Sequence, residues 1–221
     1  MRTLIAGVIA SALALCAQVP ETPGKEIRGI PPRPTPQEYQ AQAKAGNVTI
    51  VADFFAHSVP TAEGTLSSEK FVVVEAGMFG PPDARAKVSA EDFSLRINGK
   101  KAPLPSQPYG LVVSSLRDPE WVPPDPGPES SAPAKGSLNT GGGARSPDTP
   151  EPVMPPAPIR IPPEMQRAMQ LRVQKAALPE GDRTLPVDGL LFFQYSGSVE
   201  SIHSVELIYN GPAGKATLAL H

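Results

Sequence analysis

Leu190-Leu191-Phe192-Phe193-Gln194-Tyr195, Ser204-Val205-Glu206-Leu207-Ile208-Tyr209 and Lys215-Ala216-Thr217-Leu218-Ala219-Leu220 place three strand patterns at the end of the chain, inside residues 184–221. So short a unit, with no disulfide or metal to staple it, buries too little apolar surface to stand alone. It must share a core with something earlier in the chain. Between it and the preceding strand-like segments lies a stretch from Pro119 to Pro163 that holds 14 of the 29 prolines and the run Thr140-Gly141-Gly142-Gly143. That stretch lacks the apolar density to fold and reads as a long, disordered, polyproline-rich insertion into one domain. Without it, the leader and the proline-rich entry, roughly 110 residues remain, the size of one β-sandwich.

The earlier strands are legible by period. Val48, Ile50, Ala52 and Phe54 face one side of a strand, with Thr49, Val51, Asp53 and Phe55 on the other. Phe71 to Phe79 is apolar on both faces, which suits a central strand. Phe93, Leu95 and Ile97 alternate cleanly, and Asn98-Gly99 directly after them is a strong hairpin signal, with Lys100 to Leu104 pairing back. Leu111-Val112-Val113 reads as a further short strand, and Ser58 to Ser68 as a loop. At the end of the chain, Asn210 to Gly214 reads as a five-residue hairpin loop.

Two helices are expected. Thr35-Pro36-Gln37-Glu38 has the form of a capping box with proline at the first helical position, predicting a short surface helix that stops at Gly46. Glu164 to Leu178 is amphipathic, with Met165, Met169, Val173 and Ala176 on one face. It is expected to dock on the sandwich of its own chain, the other possibility being a partner protein.

Arg2 followed by the apolar run Leu4 to Leu15 reads as a secretory signal peptide over residues 1–17, too short for a confident membrane span. Cys16, the only cysteine, stands where a bacterial lipoprotein would carry its lipid, but Leu15 is bulkier than that cleavage site prefers. A lipid anchor at Cys16 and removal of Cys16 with the leader both stay open, and neither leaves a disulfide. Residues 18–46 read as a proline-rich spacer, through Pro31-Pro32-Arg33-Pro34-Thr35-Pro36, followed by the short helix. A net charge of −2 carries no polyanion-binding signal, so nucleic acid is not an expected partner.

Phe71 to Phe79, Val88-Ser89-Ala90-Glu91-Asp92-Phe93-Ser94-Leu95, Gly189 to Phe193 and Val205 to Tyr209 together resemble a family of exported bacterial immunoglobulin-like domains of unknown function, associated with lipoproteins and of telomeric-repeat-factor-like type. The resemblance covers about half of the chain and rests on core and turn patterns. It implies an all-β fold: an immunoglobulin-like antiparallel β-sandwich over 47–221, interrupted by the insertion 119–163 and the helix 164–178. This chain departs from the family in that insertion and in the Gly80-Pro81-Pro82 turn, as a lineage-restricted variant does. The resemblance brings no catalytic, cofactor-binding or metal-binding residues.

The residues themselves add little chemistry. His57, His203 and His221 lack the close spacing of a metal site, and there is no Gly-x-Ser-x-Gly elbow or phosphate loop. Histidines at turns and strand ends are expected to be solvated. Of the acids in or beside strands, Asp53 and Glu75 sit among apolar neighbours and are the candidates for buried pairing; Asp92 reads as a turn group. Arg96, Lys100 and Lys101 form a small basic patch at a hairpin tip. The function expected is a non-catalytic binding or scaffolding module of the cell envelope, periplasmic or extracellular, that meets an envelope protein or a cell-wall polymer. The alternatives are an accessory subunit docking through 164–178 and, last, an unrecognised hydrolase.

Overall fold

The computed structural model describes residues 29–122 and 161–220. The signal segment, Cys16, His221 and most of the proline-rich insertion lie outside them. Among the described residues strand is the main regular structure, in antiparallel sheets with few helices. In order the elements are β1 (Ala41–Ala45), β2 (Val48–Phe54), β3 (Ser58–Thr61), β4 (Gly64–Ser68), β5 (Phe71–Phe79), β6 (Arg85–Val88), β7 (Phe93–Ile97), β8 (Leu104–Gln107), α1 (Tyr109–Val112), β9 (Leu116–Arg117), α2 (Pro163–Ala176), β10 (Gly181–Thr184), β11 (Val187–Gln194), β12 (Val205–Gly211) and β13 (Gly214–Leu220).

Eight strands form one sheet in the order β1-β2-β5-β11-β8-β7-β12-β13. β11 lies between β5 and β8, and β12 pairs with β7, so strands from both sides of the proline-rich stretch alternate in one sheet. The sheet curls around a single inner core that includes Ile50, Val72, Val74, Met78, Leu95, Leu191, Phe193, Leu207 and Leu218. Short β8 makes the corner: it pairs with β11 at Phe192 and Phe193 and with β7 at Ser94 and Leu95.

The outer face of β5 and β11 is covered as well. Phe71, Val73, Leu190 and Phe192 pack under Met169, Val173 and Ala176 of α2, Val59 and Leu66 of the β3–β4 hairpin, and Val112 of α1. A strand buried on both faces has to be apolar on both, which is why β5 lacks alternation. α2 docks through the face that carries Met169 and Val173, leaving Met165 half-buried.

Several expectations are corrected. The capping signal at Thr35 yields only one 3-10 turn, Pro36–Glu38, and Thr35 bonds the Glu38 carboxylate instead of the backbone. The residues beyond are strand β1, because Ala41, Ala43 and Ala45 alternate with Gln42 and Lys44, and a period of two lets the alanines pack on the core. Gly46, at φ +59°, is a hairpin residue, since Ala45 and Val48 are register partners. Residues 29–40 are not a spacer standing off the domain: they lie on its outer face, and Tyr39 is buried. The loop expected over 58–68 is the β3–β4 hairpin. Leu111 to Val113 is helical, because Pro108 ends β8 and opens α1. Asn98 and Gly99 both take positive φ, and Lys100 N–H closes the turn onto Ile97, but ladder pairing resumes only at Leu104. The last hairpin loop is Pro212-Ala213 alone, since Gly211 pairs with Gly214.

Candidate functional site

Alternation puts Asp53 on the outer face of β2, and the antiparallel ladder sets Glu75 of β5 directly opposite it. On the next strand Asp188 of β11 stands across from Gly77. The missing side chain at Gly77 is what admits the Asp188 carboxyl, since a Cβ there would lie 2.5 Å from Asp188 Oδ2 and 2.8 Å from Val51 Cγ2. Three carboxyl groups thus share one patch of an otherwise apolar sheet face.

The segment before β1 covers this patch. Gly29 donates its N–H to the Lys175 carbonyl at 2.7 Å, and Ile30 packs with the outer apolar cluster. Gly29 has φ +91°, and a Cβ would lie 2.3 Å from the Asp188 carbonyl oxygen, so only glycine enters there. Arg33 then donates through Nη2 to Asp53 Oδ2 and to Glu75 Oε2, the latter at 3.0 Å. Its guanidinium also lies 4.3 Å from the centre of the Tyr39 ring. Tyr39 Oη donates to Asp188 Oδ2 at 2.5 Å and accepts from the Arg33 N–H at 3.1 Å. Gln40 N–H closes on Asp53 Oδ1. The outcome is a clamp in which one arginine and one tyrosine hold the entry strap onto the sheet.

Charge balance in the clamp is uneven. Glu75 is 4% exposed and Asp188 1%, and a single guanidinium faces them and Asp53. Burial pushes the Asp188 carboxyl up to about 8, against the opposing hydrogen bond from Tyr39 and with help from the Glu75 charge. Burial raises Glu75 as well, countered by the Arg33 charge. The Tyr39 hydroxyl is raised by burial and by its bond to Asp188, and so stays a donor. Burial lowers Arg33, but the Asp53 hydrogen bond and the Glu75 and Asp53 charges outweigh it. Asp188 and Glu75 also share a side-chain hydrogen bond, which two carboxyl groups make only when one of them keeps its proton.

Of the candidates read from sequence, Asp53 and Glu75 come together. Asp92 caps no distant site; it flanks the Tyr209 ring, with burial raising its carboxyl first and Lys87 opposing. Arg96 pairs with Glu206 at 2.8 Å across β7 and β12, which removes it from the basic tip. His57 is not a solvated histidine: its Nδ1 lies 2.9 Å from the Phe71 carbonyl, its Nε2 3.0 Å from the Gly197 carbonyl, and its ring stacks on Tyr195. His203 sits apart, at the Asn98 turn. No group of three or more metal-ligating side chains occurs among the described residues, and no helix among them is long and apolar enough to cross a membrane. Arg33, Tyr39 and Asp188 are the members that sequence reading passes over. For Asp188 the signal is a lone acid within an apolar strand next to Gly189, whereas Tyr39 precedes the alternation that starts at Ala41 and packs on the opposite face from the alanines.

Two clefts flank α2, and neither is lined by the clamp acids or a histidine. One, of about 390 Å³, lies between the Gly29–Pro31 entry, the turn at Pro60–Glu63 and the end of α2. The other, of about 350 Å³, lies between β8, α1 and the connection after α2. No protein-family model, curated protein or solved structure matches the chain.

Proposed function

We propose that the chain is an exported, non-catalytic binding or scaffolding module of the cell envelope, built on an immunoglobulin-like sandwich. The strand order supports the fold reading: β2-β5-β11-β8 follows the A-B-E-D sheet of that fold and β7-β12-β13 its C-F-G sheet, with β1 added at an edge. The residues quoted for the family resemblance lie on β5, β7, β11 and β12.

One observation carries the functional reading. Asp53 and Glu75, the acids whose sequence surroundings mark them for buried pairing, converge with Asp188 and are tied to Arg33 beneath the strap, away from either cleft beside α2. Acid–base work on a substrate needs a carboxyl group within reach of the scissile bond. The clamp spends these carboxyls on holding the strap, and what the outer face presents is concave surface. Export, a periplasmic or extracellular location and the alternative fates of Cys16 belong to the same proposal. The accessory-subunit reading loses its original basis, since the methionine face of α2 is turned toward the sheet.

The test is crosslinking capture from the native envelope with the intact chain and with a version in which residues 123–160 are replaced by a short linker. The reading expects an exported protein that captures the same envelope component in both versions if the folded face binds, and in the intact chain alone if the insertion does. A chain retained in the cytoplasm, or one that cleaves a glycoside in a Glu75-dependent manner, overturns it.

A further inference from the structure

The cleft of about 350 Å³ beside β8 has a composition that points to a ligand class. Its apolar side is formed by the half-buried Tyr109 with Pro108 and Ala177. Its polar rim holds Glu180, engaged by the Ala90 N–H, and, with more of their capacity open, Gln107, Gln174, Glu91 and Arg183. The internal bonds of these four leave most of their capacity open among the described residues. Gln107 donates only to the Pro105 carbonyl, at 3.4 Å, and Arg183 only through Nε to the Glu180 carbonyl, at 2.9 Å. Gln174 and the Glu91 carboxylate bond to no described residue. The backbone around the cleft, by contrast, is spoken for: Leu178 N–H bonds the Leu190 carbonyl, Ser106 Oγ bonds the Ala90 carbonyl, and Glu180 accepts from Ala90 N–H.

Beside the engaged Glu180, the rim combines an acceptor-only carboxylate, a donor-only guanidinium and two amides that do both. An anionic guest would face Glu91 and Glu180, and a cationic one Arg183. A neutral guest whose groups both donate and accept satisfies all four, and hydroxyl groups do so. Set beside the apolar side of the cleft at Tyr109, that describes a saccharide ring, polar at its edge and apolar on its C–H face. Resting on the binding-module reading, we infer that this cleft binds a neutral oligosaccharide segment, with Gln107, Gln174, Glu91 and Arg183 as its hydrogen-bonding groups.

The test is NMR titration of the full chain with cellotetraose, maltotetraose and tetra-N-acetylchitotetraose, with trialanine as the peptide counterpart. The side-chain amide signals of Gln107 and Gln174 are expected to move with one of the saccharides, at a Kd of about 1 mM or tighter. Gln174→Ala and Arg183→Ala are each expected to weaken that Kd about tenfold, equivalent to about 1.4 kcal/mol, with unchanged far-UV circular dichroism. Saccharides that leave both amides unmoved overturn the inference, as does trialanine moving them when no saccharide does. Either result leaves the binding-module reading to stand or fall on envelope capture, which does not depend on this cleft.

Discussion

Asp53 and Glu75 are register partners on β2 and β5, two acids set face to face across a ladder where like charges repel. They coexist because Arg33 donates to both from the entry segment before β1. Removing the arginine leaves Glu75 nearly buried and uncompensated, a loss of about 3–5 kcal/mol for a fully buried pair. With the Arg33 side chain 29% exposed, Arg33→Ala is expected at or below the low end of that range. Urea unfolding measures it. Glu75→Gln in the Arg33→Ala background should recover part of the loss, and equal stabilities for wild type and Arg33→Ala would show that the clamp contributes nothing.

Asp188 makes stability depend on pH. Its carboxyl is raised from 3.8 to about 8, with Tyr39, Glu75 and Arg33 facing it, so between those values the folded chain holds a proton that the unfolded chain has lost. Its stabilising contribution is complete below pH 3.8 and is lost progressively as pH rises through about 8. The slope from one proton is at most about 1.4 kcal/mol per pH unit. Asp188→Asn keeps an acceptor for Tyr39 and cannot ionise. Its unfolding free energy, measured at pH 5 and pH 8.5, should fall less than that of wild type, and parallel pH profiles would refute a buried protonated Asp188.

The strands that form the inner core were legible because one face is wet or half-wet and the period of two survives in the sequence, as in Phe93, Leu95 and Ile97. β5 was legible for the opposite reason, being apolar on both faces apart from Glu75. What sequence misreads is where two local signals compete. Thr35-Pro36 starts a helical turn, yet the alanines from Ala41 onward gain more by packing on the core as an edge strand than as a surface helix. The β3–β4 hairpin is rich in Ser, Thr and Gly and hides its two inward residues, Val59 and Leu66, among polar neighbours. The clamp was half legible: Asp53 and Glu75 stand out as acids among apolar residues, but their partner lies far off in a proline-rich run whose composition suggests a tether.

Gly77 supplies a second handle on the clamp. An added methyl would meet the Asp188 carboxyl and Val51 inside contact distance. Gly77→Ala is therefore expected to destabilise by about 1–3 kcal/mol despite the general gain of replacing glycine within a strand. Asp188→Ala frees the space, so the double variant should lose less than the sum of the two single changes. A strictly additive double-mutant cycle, read from chemical denaturation, would mean that the two positions do not compete for the same space.

The interleaving of β11 between β5 and β8 makes a prediction about the proline-rich insertion. Residues 29–122 expressed alone lack the strand that joins β5 to β8, and residues 161–220 alone lack every strand against which β11 and the far edge of β12 pair. Neither piece should show a cooperative unfolding transition. The two ends of the insertion are also tied at its base, where Arg172 of α2 bonds Asp118 at 3.3 Å and the Glu63 carbonyl at 3.2 Å. Because loop-closure entropy changes by only about 0.6 kcal/mol for each doubling of length, a flexible linker of roughly 15 Gly and Ser residues in place of 123–160 should leave thermal stability within a few degrees of the intact chain. Arg172→Ala in that shortened chain should lower it, since it removes the tie while leaving Asp118 half-buried without its cation. Cooperative unfolding of either isolated piece would show two independent units and would contradict the shared sheet as the source of stability.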